Sequence, residues 1–269
     1  MYNGFGAPRP ETPLIFGPNI ADWPEMSPLP RHLLLQVASV ITDPVTTTDE
    51  LIPSGETSSL RSNPLKLAEH ALSRKDPAYV DRAKAFQALE KARLNNPADP
   101  ELLARVREIC AACDGQTGME DFFAGQQPLK HIGLGTTIFA VKPGDGSARE
   151  QAASCQKVLG GWANLAVEYA TKRYRSNLIN WGMLPFVVDA GLANALRVGD
   201  YLVIPHIREA VEEKRPVILA CLVHAGEDGA QGKARAEQIS LNLRELTDDE
   251  RQIILDGCLI NFYNSQRTA

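Results

Sequence analysis

The chain has no apolar run near the eighteen or so residues that a membrane helix needs, and its first thirty residues lack a basic stretch leading into an apolar core. A cytoplasmic protein with no membrane partner is the expectation. Positive charge is also short: 28 lysines and arginines against 33 aspartates and glutamates leave a net charge of −5. A non-specific nucleic-acid binder gains affinity by releasing counterions at a basic surface, so no nucleic-acid partner is expected, although a local basic pocket stays permitted. Cysteine is scarce and odd in number, five in 269 residues, which excludes a disulfide framework and predicts reduced thiols. His32, His70, His131, His206 and His224 show no ligand spacing such as HxxxH, and no metal site is expected on this chain. Gly133, Leu134 and Gly135 lack the third glycine of a dinucleotide fingerprint and precede a strand pattern, whereas the fingerprint follows one. Internal repeats and low-complexity tracts are absent.

What remains is an ordinary globular composition, 44% hydrophobic and 23% charged, in a chain long enough to bury about three quarters of its unfolded surface. Residues 1–30 hold seven prolines and no steady period. They fit an extended arm or interdomain linker, or equally a disordered leader. Residues 31–269 then read as one α/β domain with a helical insertion at about 63–113. Apolar runs at 33–41, 162–169, 184–188 and 216–223, and a strand pattern after Gly135, predict strands. Three proline-led starts, Asn63 with Pro64, Asp76 with Pro77 and Asp99 with Pro100, predict helices whose free amides are capped by the preceding side chain. Further helices are expected from about Ala148 to Val158, from Thr171 to Trp181, and from Thr247, where Asp248, Asp249 and Glu250 suit the positive end of the helix dipole. The basic face of Lys172, Arg173 and Arg175 is either solvated or a docking edge.

Two loops carry the candidate chemistry. Residues 46–62 are hydroxyl-rich, without a 2.0 or 3.6 period, and end near Arg61; long unstructured loops are often functional. Residues 144–150, Gly-Asp-Gly-Ser-Ala-Arg-Glu, join a strand to a helix. Glycines let a backbone approach a ligand, and helix-opening amides are unpaired donors with partial positive charge. Ser147 there is either a helix N-cap or a hydroxyl whose alkoxide the amides and Arg149 stabilise. Arg149 sits in a first helical turn, where the dipole disfavours a cation unless an anion joins it. Arg61 is a solvated loop arginine or a two-pronged carboxylate clamp. Cys110 and Cys113 form a CxxC on the apolar face of a helix, read as packed core thiols ahead of a redox pair or a metal site.

The serine loop resembles the Gly-Glu-Gly-Ser-Ser-Arg-Glu-His segment in the swivel domain of the aconitase and isopropylmalate dehydratase superfamily. Asn177, Leu178, Ile179, Asn180, Gly182, Leu184 and Pro185 are similar to that domain's Asn-Leu-Ile-Asn-x-Gly-x-Leu-Pro motif. Thr47, Thr48, Asp49, Gly55 and Arg61 are similar to its Thr-Thr-Asp-His segment and substrate arginine. The resemblance spans Thr47 to Pro185 and implies a swivelling β/β/α layered α/β domain with added helices. It implies a hydro-lyase that dehydrates and rehydrates a hydroxy polycarboxylic acid. Ser147 is then the catalytic base and Arg149 its anion stabiliser, with Arg61, Thr48, Asp49, Gly146 and Ala148 as substrate-binding positions. A [4Fe–4S] cluster would sit on partner domains or a large subunit and none on this chain, which would be either a separate small subunit or part of a longer enzyme. Two positions depart from the pattern. Ala148 replaces a second serine that contacts the substrate carboxylate, and Glu50 replaces the histidine after Asp49, so citrate and isocitrate are disfavoured. Divergent aconitase-like hydratases carry a similar Glu. The alternative is a non-catalytic ligand-sensing or regulatory module.

Overall fold

The computed structural model describes residues 6–13, 15–225 and 235–268. The chain runs through β1 (His32–Ile41), β2 (Thr46–Thr47), α1 (Thr48–Leu51), α2 (Pro64–Ala68), α3 (Tyr79–Asn95), α4 (Pro100–Cys110), β3 (Ile132–Ala140), β4 (Pro143–Asp145), α5 (Arg149–Val158) and β5 (Gly161–Ala166). It continues through α6 (Lys172–Asn180), β6 (Leu184–Val187), α7 (Leu192–Ala195), β7 (Tyr201–Ile204), α8 (Ile207–Glu212), β8 (Val217–His224), β9 (Arg235–Asn242), α9 (Asp248–Asp256) and α10 (Leu259–Thr268).

Seven strands close into a barrel in the order β1-β3-β5-β6-β9-β8-β7. One wall, β1-β3-β5-β6, is parallel; the other, β9-β8-β7, is antiparallel. Side chains alternate across a strand, so β1 sends Leu33, Leu35 and Val37 into the barrel and Leu34 and Ala38 outward. The inward set meets Leu165, Phe186, Leu202, Leu222 and Leu241 in one core. The outward set is covered by helices: Ile138 and Ala140 of β3 join Leu67, Ala83, Ala153 and Leu178 of α2, α3, α5 and α6. That two-sided covering explains why β3 is buried at all nine positions, as parallel strands require. The result is the expected α/β architecture: two β walls with a helical layer outside the parallel one.

The helix starts divide. Asn63 accepts the Lys66 amide to cap α2, and Asp99 accepts the Glu101 and Leu102 amides to cap α4. Asp76 does not cap α3, whose N-cap is Ala78 with no side-chain bond. Its carboxylate instead takes Ser39 Oγ at 2.7 Å and pairs with Arg82, pinning α3 to β1. The loop at 46–62 is more ordered than its sequence pattern implies. Thr47 and Glu50 form a reciprocal capping box on α1, with the Thr47 amide donating to Glu50 Oε2 at 2.7 Å. Glu50 is thus structural, and closes the turn that the resemblance left to a histidine.

The thiols require a correction. Cys113 is joined to Cys221 in a disulfide, where the sequence predicts five reduced cysteines, while Cys110 stays a free, buried thiol. The two partners are 108 residues apart, and only the packing of the 3-10 turn after α4 against β8 brings them together. Burial pushes the Cys110 thiol up to about 12, which leaves it protonated and inert. None of the described helices is long and apolar enough to cross a membrane.

Asp99→Ala should lower the unfolding free energy in urea by about 1 kcal/mol, because two helix-opening amides lose their acceptor. Glu50 offers a pH test. The Thr47 amide, the Thr47 hydroxyl and Lys75 hold its carboxylate below the ordinary glutamate range. Its share of stability is therefore present above the unfolded value of about 4.3 and disappears as pH falls through the lower folded value. Glu50→Gln should be less stable than the parent at pH 7, and the gap should close near pH 3 in parallel urea titrations.

Candidate functional site

Beyond the carboxyl ends of β1 and β3 the chain builds a second, two-stranded parallel sheet. Thr46 of β2 pairs with Pro143 of β4, and Thr47 pairs with Asp145. The ladder locks the hydroxyl-rich loop to the serine loop. Two glycines permit the contact. Gly144 has a φ of 96°, and a Cβ there would lie 2.3 Å from the Tyr174 ring; Gly146 has a φ of 135°, and a Cβ there would lie 2.2 Å from Thr48 Oγ1. Both positions need a left-handed backbone and empty space, which only glycine supplies.

Ser147 is exposed on this rim, and its hydroxyl makes no hydrogen bond among the described residues. It is not the N-cap of α5. That position is Ala148, with φ −81°, ψ 42° and no side-chain capping bond. The opening amides of α5 therefore lack a side-chain acceptor and stay available to an anion. Arg149, the first helical residue, is half-buried, and its Nε is buried with no partner. Glu150 is engaged elsewhere, accepting Trp181 Nε1–H at 3.1 Å. Trp181 in turn packs against Trp23, the two rings tilted by 42° with centroids 4.3 Å apart, so the segment before β1 braces the first turn of α5.

Across the ladder, Thr48 is buried at the start of α1. Asp49 is half-exposed and paired with Arg74, which also binds Glu56. Arg74 is a cation at this rim that sequence reasoning passed over; only the turn after α2 brings it back onto the loop. The structure therefore gathers Thr48, Asp49, Gly146, Ser147, Ala148 and Arg149 around one junction. Arg61 stays on its own loop, exposed, donating from Nη2 to the Ser54 carbonyl at 3.3 Å, and makes no hydrogen bond to the serine loop.

A second cluster escaped the sequence because its members are far apart in the chain. His32, Asp121 and His206 place potential ligand atoms within 4.8 Å of one another. The local bonding describes a polar tie. His32 Nδ1 accepts the His206 amide at 3.0 Å, His206 Nε2 lies 2.7 Å from Asp121, and Arg31 bridges Asp121 and Glu209 at 2.8 and 2.6 Å. Burial, with the neighbouring His206 and Arg31 charges, pushes His32 down to about 4, so its ring is neutral at physiological pH. Arg31 already supplies the cation that the two carboxylates need.

Comparison with known proteins gives a match to part of the chain. No curated protein matches the chain. Among solved structures, 3-isopropylmalate dehydratase (LeuD) from Methanocaldococcus jannaschii is similar at 20% identity, with 88% of this chain and 96% of that chain covered and a TM-score of 0.46. Residues 66–191 match the family described as the aconitase C-terminal domain. The matched stretch contains the serine loop and the 177–185 segment, while Thr48, Asp49 and Arg61 lie just before it. The family match is thus confined to residues 66–191, a stretch similar to the aconitase C-terminal domain.

Proposed function

We propose that this chain is the swivel part of a cytoplasmic hydro-lyase that removes and re-adds water on a hydroxy polycarboxylic acid, with Ser147 as the proton-abstracting base. The observation that carries this reading is the junction of the two loops, where an exposed, unbonded serine hydroxyl lies beside open helix amides and an unpartnered guanidinium nitrogen. Those groups suit a serine that must be held as an alkoxide, because each stabilises negative charge at or beside its oxygen. In the reaction the Ser147 oxygen takes a proton from the carbon next to a carboxylate, and the hydroxyl leaves from the neighbouring carbon. Arg149 and the α5 amides hold the substrate's carboxylates, and Arg61 swings from the Ser54 carbonyl to a distal carboxylate when substrate arrives. Ala148 offers no hydroxyl to that carboxylate, which argues for an acid other than citrate or isocitrate.

The departing hydroxyl needs a Lewis acid, and the thiols of this chain do not fit an iron–sulfur cluster. Cys113 and Cys221 are bonded to each other, and Cys110, Cys155 and Cys258 are each buried singly. The [4Fe–4S] cluster therefore falls to partner domains or a large subunit, and none of the steps given to this chain passes through it. The chain purified alone should be colourless and inactive.

Reconstituted with cluster-bearing aconitase-like domains or a large subunit, the parent chain should turn over a hydroxy polycarboxylate, and Ser147→Ala should reduce kcat by about 10³-fold or more, on the scale of losing a catalytic base. An unchanged circular dichroism spectrum would show that the fold is intact, and retained turnover would remove Ser147 from the role. Arg61→Lys should raise KM with a smaller effect on kcat, because an ammonium cannot form two parallel bonds to a carboxylate. An unchanged KM in the same assay would leave Arg61 as a loop residue.

A further inference from the structure

A large cleft lies away from the serine loop. It has a volume of about 1050 Å³ and opens between α6, α9 and the seam where β6 meets β9. The barrel is least secured there, since β6 and β9 share a single residue pair, Val187 with Asn242. Five cations line the cleft: Lys172, Arg175, Lys214, Arg244 and Arg251.

Their bonding leaves capacity unused. Arg175 donates from Nη2 to the Leu243 and Glu245 carbonyls at 3.1 and 2.9 Å, and Arg251 donates from Nη1 to the Val211 carbonyl at 3.4 Å. The Nε of each is buried without an acceptor. The side chains of Lys172 and Arg244 have no hydrogen bond or ion pair among the described residues, and Arg244 holds a left-handed backbone, φ 55°, fixed by its amide on Asn242 Oδ1 at 2.6 Å. Two of the lining carboxylates are committed: Glu168 to Lys142, and Glu250 to the Thr247 amide. Glu245 is left to oppose the cations, one of which, Lys214, is paired with Asp248. Buried guanidinium donors without acceptors, beside two free cations in a space of ligand size, match a bound polyanion.

We propose that this cleft is a second anion-binding site, taking a small molecule with at least two phosphate or carboxylate groups. It shares no lining residue with the 46–62 or 144–150 loops, so it is a site additional to the serine junction. The two are nevertheless mechanically joined. Thr171, the N-cap of α6, donates its hydroxyl to the Gly144 carbonyl at 3.3 Å, and Tyr174 of α6 lies under Gly144. An occupant bridging α6 to Arg244 and α9 would stiffen the platform beneath the serine loop.

The test needs only the full chain. Pyrophosphate and tricarballylate are titrated separately by calorimetry, with thermal unfolding in parallel, at low and moderate salt. Saturable one-site binding of either probe that raises Tm and weakens with salt is the expected result, and the tighter probe tells phosphate from carboxylate. Lys172→Ala with Arg244→Ala should raise Kd at least tenfold, whereas the charge-keeping pair Lys172→Arg with Arg244→Lys should stay within threefold of the parent. Failure of both probes to bind, or equal binding by the parent and the double-alanine chain, would overturn the proposal. Because the readout is binding to the isolated chain, it stands or falls separately from hydratase activity.

Discussion

Two backbone pairings, Thr46 with Pro143 and Thr47 with Asp145, fix how the hydroxyl-rich loop and the serine loop of this protein meet. The barrel and its helical layer would exist without them, but the two polar loops would be independent tethers. Paired, the loops become one rim, and the tolerances are those of a hydrogen-bonded ladder. Gly146 marks how close the approach is, since a single methyl group there would collide with Thr48. The capping box on α1 supports the ladder from behind: Glu50 closes on the Thr47 amide, so the same residue both enters the strand pair and opens a helix. Glu50 also explains its own presence. The sequence departs from the motif it resembles at a place where the local turn uses the acid fully.

Much of this was legible from residues alone, for identifiable reasons. The buried runs of β1, β5, β6 and β8 are continuous enough to stand out from their neighbours, and Asn63, Asp99, Thr171 and Thr247 announce helix starts because a cap is a local device. Asp76 looks identical to Asp99 in sequence and behaves differently, because Ser39 and Arg82 reach its carboxylate from other parts of the chain. β9 was invisible. Its Arg235–Asn242 pattern is mostly polar and partly exposed, and it becomes a strand by pairing with β8 along its whole length. The Cys113–Cys221 bond and the tie of His32, Asp121 and His206 were hidden for the same reason: spacing rules read neighbours, and these groups meet only after the barrel closes.

At the rim, sequence and structure answer different questions. The loop chemistry, a serine beside an arginine at a helix start, was readable as a motif. Its alternative, an N-cap serine, could be weighed only in three dimensions, where Ala148 takes the cap position and leaves the serine oxygen unengaged. Nothing local revealed Arg74, which balances Asp49 and Glu56. That pairing has a chemical consequence. With Asp49 engaged by Arg74, its carboxylate is not the partner of Arg149 across the ladder, whose Nε stays without an acceptor.

The same logic sets the two halves of the molecule apart. In the core some polar side chains are paired, as the Arg93 bonds to Glu90 and to the Leu129 carbonyl illustrate, and others are not, among them the Thr136 hydroxyl and the Lys157 ammonium. Along the rim and the β6–β9 seam the orphaned atoms are guanidinium donors, at Arg149, Arg175 and Arg251. Buried donors without acceptors are destabilising, and a fold that satisfies its interior retains them where a ligand or partner completes the set. All three belong to guanidinium groups, which cannot shed their charge to escape the penalty. At these three positions the group that would complete the set is an acceptor.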